Sequence, residues 1–272
     1  CQARPVMDCE IEVDLGDLVR VPAIKNNALI SETEMLTSDI MRVVVQTDQN
    51  VEHAGLPGMW AELSIDGLDR PRSYSYAAAP KNEKPNEFTF FIRKVPGGKF
   101  TEWLFGNNRD ISQQVTVNGP FGSFYLREKQ SPIVCIAGGS GLAPIKALLE
   151  GGVLDQVKRD VVFLFGARTQ DDLYCVNEIR ELKDKWNKDY KFDFIPVLNM
   201  EPEDSDWQGG RGLVTDYFEN EIIKKNNLDV SDWQGYLCGP PPMIDAACEV
   251  LEKNGIKNDQ IFYDKFTDSR DL

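Results

Sequence analysis

The chain has 272 residues, and its composition, 42% hydrophobic and 27% charged, is typical of a folded protein with room for two domains. A formal net charge of −14 argues against nucleic-acid binding, because a protein needs a basic surface to neutralise a phosphate backbone. The single histidine, His53, leaves little for a Ser-His-Asp hydrolase or a multi-histidine metal site.

The cysteines predict a reducing environment. There are six, at positions 1, 9, 135, 175, 238 and 248, with no Cys-x-x-Cys pair. Cysteines scattered among predicted strands and helices are typical of reduced thiols, so a cytoplasmic protein is expected. The longest apolar run is shorter than a membrane span, and no membrane partner is expected.

The first half of the chain contains closely spaced alternating or apolar runs, separated by Gly, Pro and Asn. Alternation with a period of two is typical of half-buried strands. Short strands with turn residues between them predict a small antiparallel barrel. The predicted strands cover residues 9 to 21, 39 to 47, 59 to 65, 73 to 77, 87 to 95 and 114 to 117.

One stretch of this half, Arg70-Pro71-Arg72-Ser73-Tyr74-Ser75, combines two cations, an aromatic ring and three hydroxyls. A guanidinium offers a rigid fork of donors to a phosphate, an aromatic ring offers a stacking face, and a hydroxyl can reach a ring nitrogen. The stretch therefore suits a planar, phosphorylated ligand. Taken alone, it is also compatible with a solvated turn followed by an amphipathic strand.

A helix is predicted at roughly 98 to 106, entered through Pro96-Gly97-Gly98-Lys99-Phe100-Thr101. Glycines at a helix entrance let backbone N–H groups approach an anion, and the helix dipole favours a diphosphate there. An ordinary glycine-containing turn is the alternative.

The second half of the chain has a different pattern of apolar residues. After Gly119-Pro120-Phe121-Gly122 and a charged linker, residues 133 to 137 form a continuous apolar run that predicts a strand buried on both faces. A glycine-rich turn, Gly138 to Pro144, and a helical pattern follow directly. A strand, a glycine-rich turn and a helix in this order place a pyrophosphate on the helix N-terminus. The glycine spacing differs from the Gly-x-Gly-x-x-Gly motif. Further strands are predicted at 161 to 165, 192 to 198 and 235 to 238, with helices at 172 to 186 and near 213 to 225.

This alternation predicts an α/β doubly wound parallel sheet. Ligands bind such sheets at the carboxyl ends of strands, where Gly138, Gly166 and Cys238 lie. The prolines of Cys238-Gly239-Pro240-Pro241-Pro242-Met243 stiffen that turn, and its glycine leaves room for a flat ring. Cys238 is equally compatible with a small buried hydrophobic residue, and Phe266 with one that closes the core.

Five motifs occur along the chain in one order, and together they resemble the ferredoxin-NADP reductase-like flavoproteins over nearly the whole chain. These motifs are Arg72-x-Tyr74-Ser75, Gly98-Lys99-Phe100-Thr101, Gly119-Pro120-Phe121-Gly122, Gly138-Gly139-Ser140-Gly141-Leu142-Ala143-Pro144 and Cys238-Gly239-Pro240-Pro241. Five ordered motifs are far more specific than any one of them. The sequence around Arg93 and Cys238 is most similar to that of the reductase components of bacterial diiron oxygenases, such as those of phenol hydroxylase and soluble methane monooxygenase.

The resemblance implies a domain plan. Residues 1–12 would be the remnant of a ferredoxin domain and linker, residues 13–127 an FAD-binding barrel, and residues 128–272 an NAD-binding α/β domain. Cys1 resembles the last ligand of a plant-type [2Fe-2S] cluster. Since such a cluster needs four thiolates, three of them closely spaced upstream, we expect no metal in this chain and a cluster only in a longer form of the protein.

The resemblance also implies residue roles. Tyr74 would stack on the flavin, Arg72 would reach the FAD diphosphate, and Ser75 would lie near flavin N5. Ser75, Cys238 and Phe266 would border the reacting atoms and are the predicted catalytic residues. The full predicted cofactor-binding set is Arg72, Ser73, Tyr74, Ser75, Ile92, Arg93, Lys94, Gly98, Lys99, Phe100, Thr101, Gly138, Gly139, Ser140, Gly141, Ala143, Pro144, Gly166, Arg168, Asp171, Cys238, Gly239, Pro240, Pro241, Met243 and Phe266.

The implied function is an FAD-dependent NADH reductase that passes electrons singly to its own [2Fe-2S] ferredoxin domain, which serves a multicomponent oxygenase. Carboxylates such as Asp171 after the second strand favour NADH over NADPH, whereas Arg168 favours NADPH. A freestanding NAD(P)H-flavin or cytochrome reductase is one alternative. A nucleotide-binding sensor without turnover is another, from a different class.

Overall fold

The computed structural model describes residues 21–51, 55–81, 83–106 and 114–267. The strand predicted over residues 9 to 21 lies outside these ranges except for Val21, and so do Cys1, Cys9 and His53. None of the helices within them is long and apolar enough to cross a membrane. The same residues contain no group of three or more His, Cys, Asp and Glu side chains that could hold a metal ion.

The first domain is an antiparallel six-stranded sheet that curls into a nearly closed barrel. Its strands lie in the order β4-β3-β6-β1-β2-β5, and an antiparallel bridge between Tyr76 and Phe90 links the two edges. The strands are β1 (Ile24–Met35), β2 (Ile40–Thr47), β3 (Trp60–Ser64), β4 (Arg72–Ser75), β5 (Glu87–Arg93) and β6 (Gln114–Phe121). A short helix, α1 (Lys99–Phe105), lies between β5 and β6.

The barrel encloses its own apolar core. Val43 and Val45 of β2 and Phe90 and Ile92 of β5 are at most 1% exposed and pack in this core. Successive side chains of a strand point to opposite faces, so the residues between them face outwards or towards the second domain. Phe91 is one of these, and it belongs to the core of the second domain.

The second domain is a parallel six-stranded sheet flanked by helices on both faces. Its strands are β7 (Ile133–Gly138), β8 (Val161–Ala167), β9 (Phe192–Leu198), β10 (Gly210–Arg211), β11 (Gln234–Gly239) and β12 (Ile261–Lys265). Its α-helices are α2 (Leu142–Leu154), α3 (Val176–Lys185), α4 (Val214–Tyr217) and α5 (Pro241–Lys253), and α4 continues as a π-helix over Phe218–Lys224.

The strand order β10-β9-β8-β7-β11-β12 reverses direction between β7 and β11. In open α/β sheets, this switch point leaves a crevice beyond the carboxyl ends of the strands, which is where ligands bind. Both faces of β7 are covered, as its continuous apolar run predicted. The predicted fold class, a barrel followed by a doubly wound sheet, is confirmed.

Two elements differ from expectation. Strand β1 was not foreseen, because only Ala28 and Ile30 are buried along its polar sequence. The helix predicted from residue 172 begins instead at Val176. The Thr169 and Asp172 side chains form a capping box on a preceding 3-10 turn, and Cys175 has a left-handed backbone with φ of 55° that interrupts the helical path.

The two domains are packed together. The core between the parallel sheet and α2 also contains Ile40, Ala77 and Phe91 of the barrel. Around this apolar contact, Arg42 of β2 pairs with Glu178 of α3, and the Lys146 amine of α2 lies 3.3 Å from the Glu178 carboxylate. Burial raises the pKa of Glu178, but the two cations outweigh it and hold the pKa below its usual value.

Candidate functional site between the two domains

The larger of two cavities that bear on function, about 730 Å³, opens between the two domains. The barrel contributes predicted site residues to its wall from β4, the end of β5 and the start of α1: Arg72, Ser73, Tyr74, Ser75, Arg93, Gly98, Phe100 and Thr101. The second domain contributes Gly138, Ser140, Ala143, Gly239, Pro240, Pro241 and Phe266. Residues separated by more than 190 positions in the sequence thus meet around one space.

A smaller cavity of about 270 Å³ lies at the carboxyl ends of the parallel strands. Its wall includes the predicted residues Arg93, Gly138, Gly139, Gly166, Arg168, Pro240 and Met243. Arg93, Gly138 and Pro240 also line the larger cavity, so the two spaces adjoin. Arg93 is held at this junction by Asp39, whose Oδ2 accepts from Nε at 2.9 Å.

Strand β4 presents three chemical groups of the larger cavity. The Tyr74 ring packs against Phe100 with ring centroids 5.6 Å apart, and burial raises the pKa of its hydroxyl. The Arg72 guanidinium donates to Asp69 Oδ1 at 3.2 Å, which holds it beside the cavity. Ser75, two residues beyond Ser73, is buried and points towards β12 of the other domain.

Sequence reasoning missed Asp264, which the structure places opposite Ser75. The Ser75 hydroxyl donates to Asp264 Oδ2 at 3.5 Å, across the domain interface. Burial raises the pKa of Asp264 to about 6, and the Ser75 hydrogen bond acts against this shift. The period of two along β12 was the available signal, since Asp264 shares a strand face with Phe262 and with Phe266, which was assigned to the cofactor.

The turn before α1 is held by Thr101, whose hydroxyl donates to the carbonyl of Val95 at 3.0 Å and accepts from the Val95 N–H at 3.1 Å. The Gly98 N–H donates to the same carbonyl at 2.9 Å. The N–H groups of Lys99, Phe100 and Thr101 belong to the first helical turn, which needs none of them for bonds inside the helix. These three groups are therefore available to an anion.

The glycine turns after β7 and β11 are packed against each other. A Cβ atom on Gly141 would lie 2.2 Å from the Cys238 carbonyl oxygen, and one on Gly138 would lie 2.6 Å from Met243 Sδ. Contacts this short exclude any side chain at Gly141, because the obstacle is backbone. The third glycine of this turn, Gly139, adopts a left-handed φ of 55° that glycine tolerates without cost.

At the smaller cavity, Arg168 is neutralised by Asp172 rather than by Asp171. Two bonds join the pair: Nε donates to Oδ2 at 3.0 Å and Nη2 donates to Oδ1 at 2.7 Å. Asp172 lines the cavity, whereas Asp171 is exposed and does not. The 3-10 turn over these residues directs Asp172 inwards and leaves Asp171 at the surface, so the role predicted for Asp171 stays a prediction.

Seven predicted residues line neither cavity. Lys94, Lys99 and Asp171 are exposed, whereas the Ile92 side chain points into the barrel core because its strand neighbours Phe91 and Arg93 face the cavity. Gly141, Pro144 and Cys238 lie beneath the surface. Cys238 is fully buried in the apolar core and pairs in register with Asp264, and burial raises the pKa of its thiol well above the usual value.

Comparison with known proteins assigns the two domains. A model of the oxidoreductase FAD-binding domain matches residues 27–125, and one of the oxidoreductase NAD-binding domain matches residues 135–249. Together these models cover well over half of the chain. The protein belongs to the FAD- and NAD-binding oxidoreductases. The predicted resemblance to ferredoxin reductase-like flavoproteins is therefore confirmed, and so is an NAD(P)H-dependent flavin oxidoreductase activity.

Curated relatives of this oxidoreductase are reductase components of oxygenase systems. The xylene/toluene monooxygenase electron transfer component of Pseudomonas putida is 42% identical over 98% of this chain and 72% of the relative. The propane 2-monooxygenase reductase component of Mycolicibacterium smegmatis is 35% identical over 98% of this chain and 76% of the relative.

Solved structures agree with this assignment. The Amycolatopsis cytochrome P450 reductase GcoB superposes with a TM-score of 0.80 at 28% identity, covering 92% of this chain and 72% of the other. The ferredoxin reductase in carbazole 1,9a-dioxygenase gives a TM-score of 0.77 at 27% identity, covering 92% and 71%.

The larger cavity of the oxidoreductase fits FAD. Its volume lies within the range of cofactor sites, and its wall combines an aromatic face at Tyr74 with a guanidinium at Arg72. The free N–H groups at the start of α1 add donors of the kind that bind diphosphates. The smaller cavity, between the carboxyl ends of β7 and β8, has the position of a pyridine-nucleotide site.

Proposed function

We propose that this oxidoreductase takes electrons from NADH through FAD and delivers them singly to a [2Fe-2S] ferredoxin domain that serves a multicomponent oxygenase. The observation that carries the proposal is the junction of the two cavities at Arg93, Gly138 and Pro240. A nicotinamide and a flavin must be stacked closely for direct transfer, and adjoining sites allow this.

Bound FAD supplies the conversion between the two-electron chemistry of a nicotinamide and the one-electron chemistry of iron-sulfur proteins. The chain's own residues contribute positioning. Tyr74 offers the stacking face, Arg72 offers charge to the diphosphate, and Phe266 and Gly239 shape the wall on the side of the second domain. Ser75 and Asp264 meet across the interface at the edge of the cavity.

The nicotinamide cofactor is NADH rather than NADPH under this proposal. A 2′-phosphate brings two negative charges, whereas the Arg168 guanidinium already donates from Nε and Nη2 to the Asp172 carboxylate, which neutralises its charge. The ribose 2′-hydroxyl of NADH carries no charge and does not require Arg168. A carboxylate near this ribose is the usual feature of NADH sites.

The acceptor rests on the relatives, whose names describe electron transfer or reductase components of monooxygenases and dioxygenases. We extend that role to this chain, with a FAD domain at 13–127 and an NAD domain at 128–272. A cytoplasmic location is part of the proposal, supported by the free thiols of Cys135, Cys175, Cys238 and Cys248.

The test is acceptor choice. FAD-loaded protein and NADH should reduce a plant-type [2Fe-2S] protein catalytically, as followed by visible absorbance under nitrogen. Free FMN and cytochrome b5 should be poorer acceptors by kcat/KM. A clear preference for free flavin or for the cytochrome would contradict the oxygenase role and favour a freestanding reductase.

A further inference from the structure

Tyr174 joins three parts of the molecule and has no role in the function described so far. It lies just before α3 and is 5% exposed. Its hydroxyl donates to the Gly139 carbonyl at 2.8 Å. Its ring makes edge contacts with Phe91 of the barrel, centroids 5.5 Å apart, and with Phe165 of the parallel sheet, 5.6 Å apart.

The Gly139 carbonyl belongs to the turn that separates the two cavities. Gly139 lines the smaller cavity, and Ser140 lines the larger one. A trans peptide is planar, so its carbonyl and the following N–H point in opposite directions. The Gly139 carbonyl accepts from the Leu142 N–H as well as from Tyr174. Together the two bonds set the direction of the Ser140 N–H, which points away from the buried ring. Gly139 itself would adopt other backbone angles readily.

The Tyr174 ring also contacts a defined residue of the barrel. Phe91 lines the larger cavity, and it is the residue against which the Tyr174 ring packs. The segment after Tyr174 also contacts the barrel, through β2, the strand that pairs with the strand of Phe91. The Arg42 guanidinium of β2 contacts Cys175 Sγ at 3.3 Å and pairs with Glu178. Tyr174 is thus tied to the wall of the FAD site on one side and to the glycine turn on the other.

We propose that Tyr174 is a positioning residue for the pyridine nucleotide: its hydroxyl orients the Gly139–Ser140 peptide, and its ring sets that peptide relative to the FAD site. The inference rests on the proposed function, since it concerns how the nucleotide site is positioned relative to the FAD site. A tyrosine that only satisfies a buried carbonyl would influence stability but not nucleotide affinity, and this difference can be measured.

The decisive variant is Tyr174→Phe, which keeps the ring contacts and removes only the hydrogen bond. Tyr190→Phe, a hydroxyl deletion in the segment that follows the C-terminal end of α3, is the matched control. Both are compared with the wild-type holoprotein by calorimetric titration with NAD+ and by stopped-flow reduction with NADH. Loss of one hydrogen bond should weaken NAD+ binding roughly threefold to tenfold in Tyr174→Phe, with FAD affinity and the control within twofold of wild type.

The limiting rate of flavin reduction at saturating NADH should change by less than about twofold, because the ring contacts remain. Unchanged NAD+ affinity in Tyr174→Phe would overturn the inference, even if its melting temperature fell. NAD+ binding needs no turnover, so a wild-type protein that binds NAD+ but is not reduced by NADH would contradict the proposed function while leaving the Tyr174 comparison valid. A wild-type holoprotein that binds no NAD+ would overturn both.

Discussion

Tyr74 is the residue on which FAD binding should depend most directly, since its ring lines the larger cavity beside Phe100. Replacing Tyr74 by alanine removes the stacking face and should weaken FAD binding about tenfold or more. Fluorescence titration of the apoprotein with FAD measures this change. Tyr74→Phe keeps the ring and should bind FAD as wild type does. Equal affinities for all three proteins would exclude stacking by Tyr74.

Asp264 should make stability depend on pH. Its pKa is raised from 3.8 to about 6, so between these values the folded chain keeps a proton that the unfolded chain has lost. The contribution of Asp264 to stability is therefore most favourable below this window and falls as pH rises through it. Asp264→Asn removes the ionisation, so its stability relative to wild type should rise from pH 4 to pH 7 in chemical denaturation.

The control for this titration is the exposed Asp259 in the turn before the same strand. Asp259→Asn should leave the pH dependence unchanged. The free energy of unfolding is compared between pH 4 and pH 6 for the wild type and for Asp264→Asn. If it increases by the same amount in both proteins, Asp264 is ionised throughout this range, contrary to its buried setting.

Asp172 should control the choice of nucleotide. Asp172→Asn frees the Arg168 guanidinium, which can then meet a 2′-phosphate with a charge-assisted bond. The kcat/KM for NADPH should rise about tenfold, and that for NADH should fall. The double variant Asp172→Asn/Arg168→Gln should lose the gain with NADPH. If the gain survives in the double variant, Arg168 does not read the phosphate.

At the scale of elements, the contact between the turns after β7 and β11 should tolerate no added atom. Gly141→Ala would push against the Cys238 carbonyl, and overpacking of this kind costs about 1–3 kcal/mol. Both the melting temperature and NADH affinity should fall. Gly235→Ala in β11 meets only the flexible end of Leu251, so its effect should be clearly smaller in the same assays.

The element scale also shows what could be read from the sequence. The continuous apolar run of β7 and the glycines after it predicted both the parallel sheet and the position of a ligand site. Strand β1 could not be found in this way, because a barrel strand with few buried positions is stabilised by its hydrogen bonds to β2 and β6 rather than by its own pattern.

For the whole molecule, the predictable part of the site was the part that lies in short motifs. Arg72, Tyr74 and the glycine turns carry chemistry that is visible locally. Asp264 was missed because its partner Ser75 becomes a neighbour only when the domains pack. Tyr174 was missed because its partner Gly139 lies in a different loop of the same domain and is distant in sequence. The Ile92 side chain does not line the cavity, because the register of β5, not the motif, decides which side chain faces it.

Adjoining cavities from two domains are the basis of the proposed electron transfer, and anaerobic reduction tests them most directly. FAD-loaded protein should show the visible absorption band of oxidised flavin. One equivalent of NADH should bleach this band within the first seconds of a stopped-flow trace. Persistence of the oxidised flavin spectrum with excess NADH, in protein shown to bind both FAD and NAD+, would contradict the account.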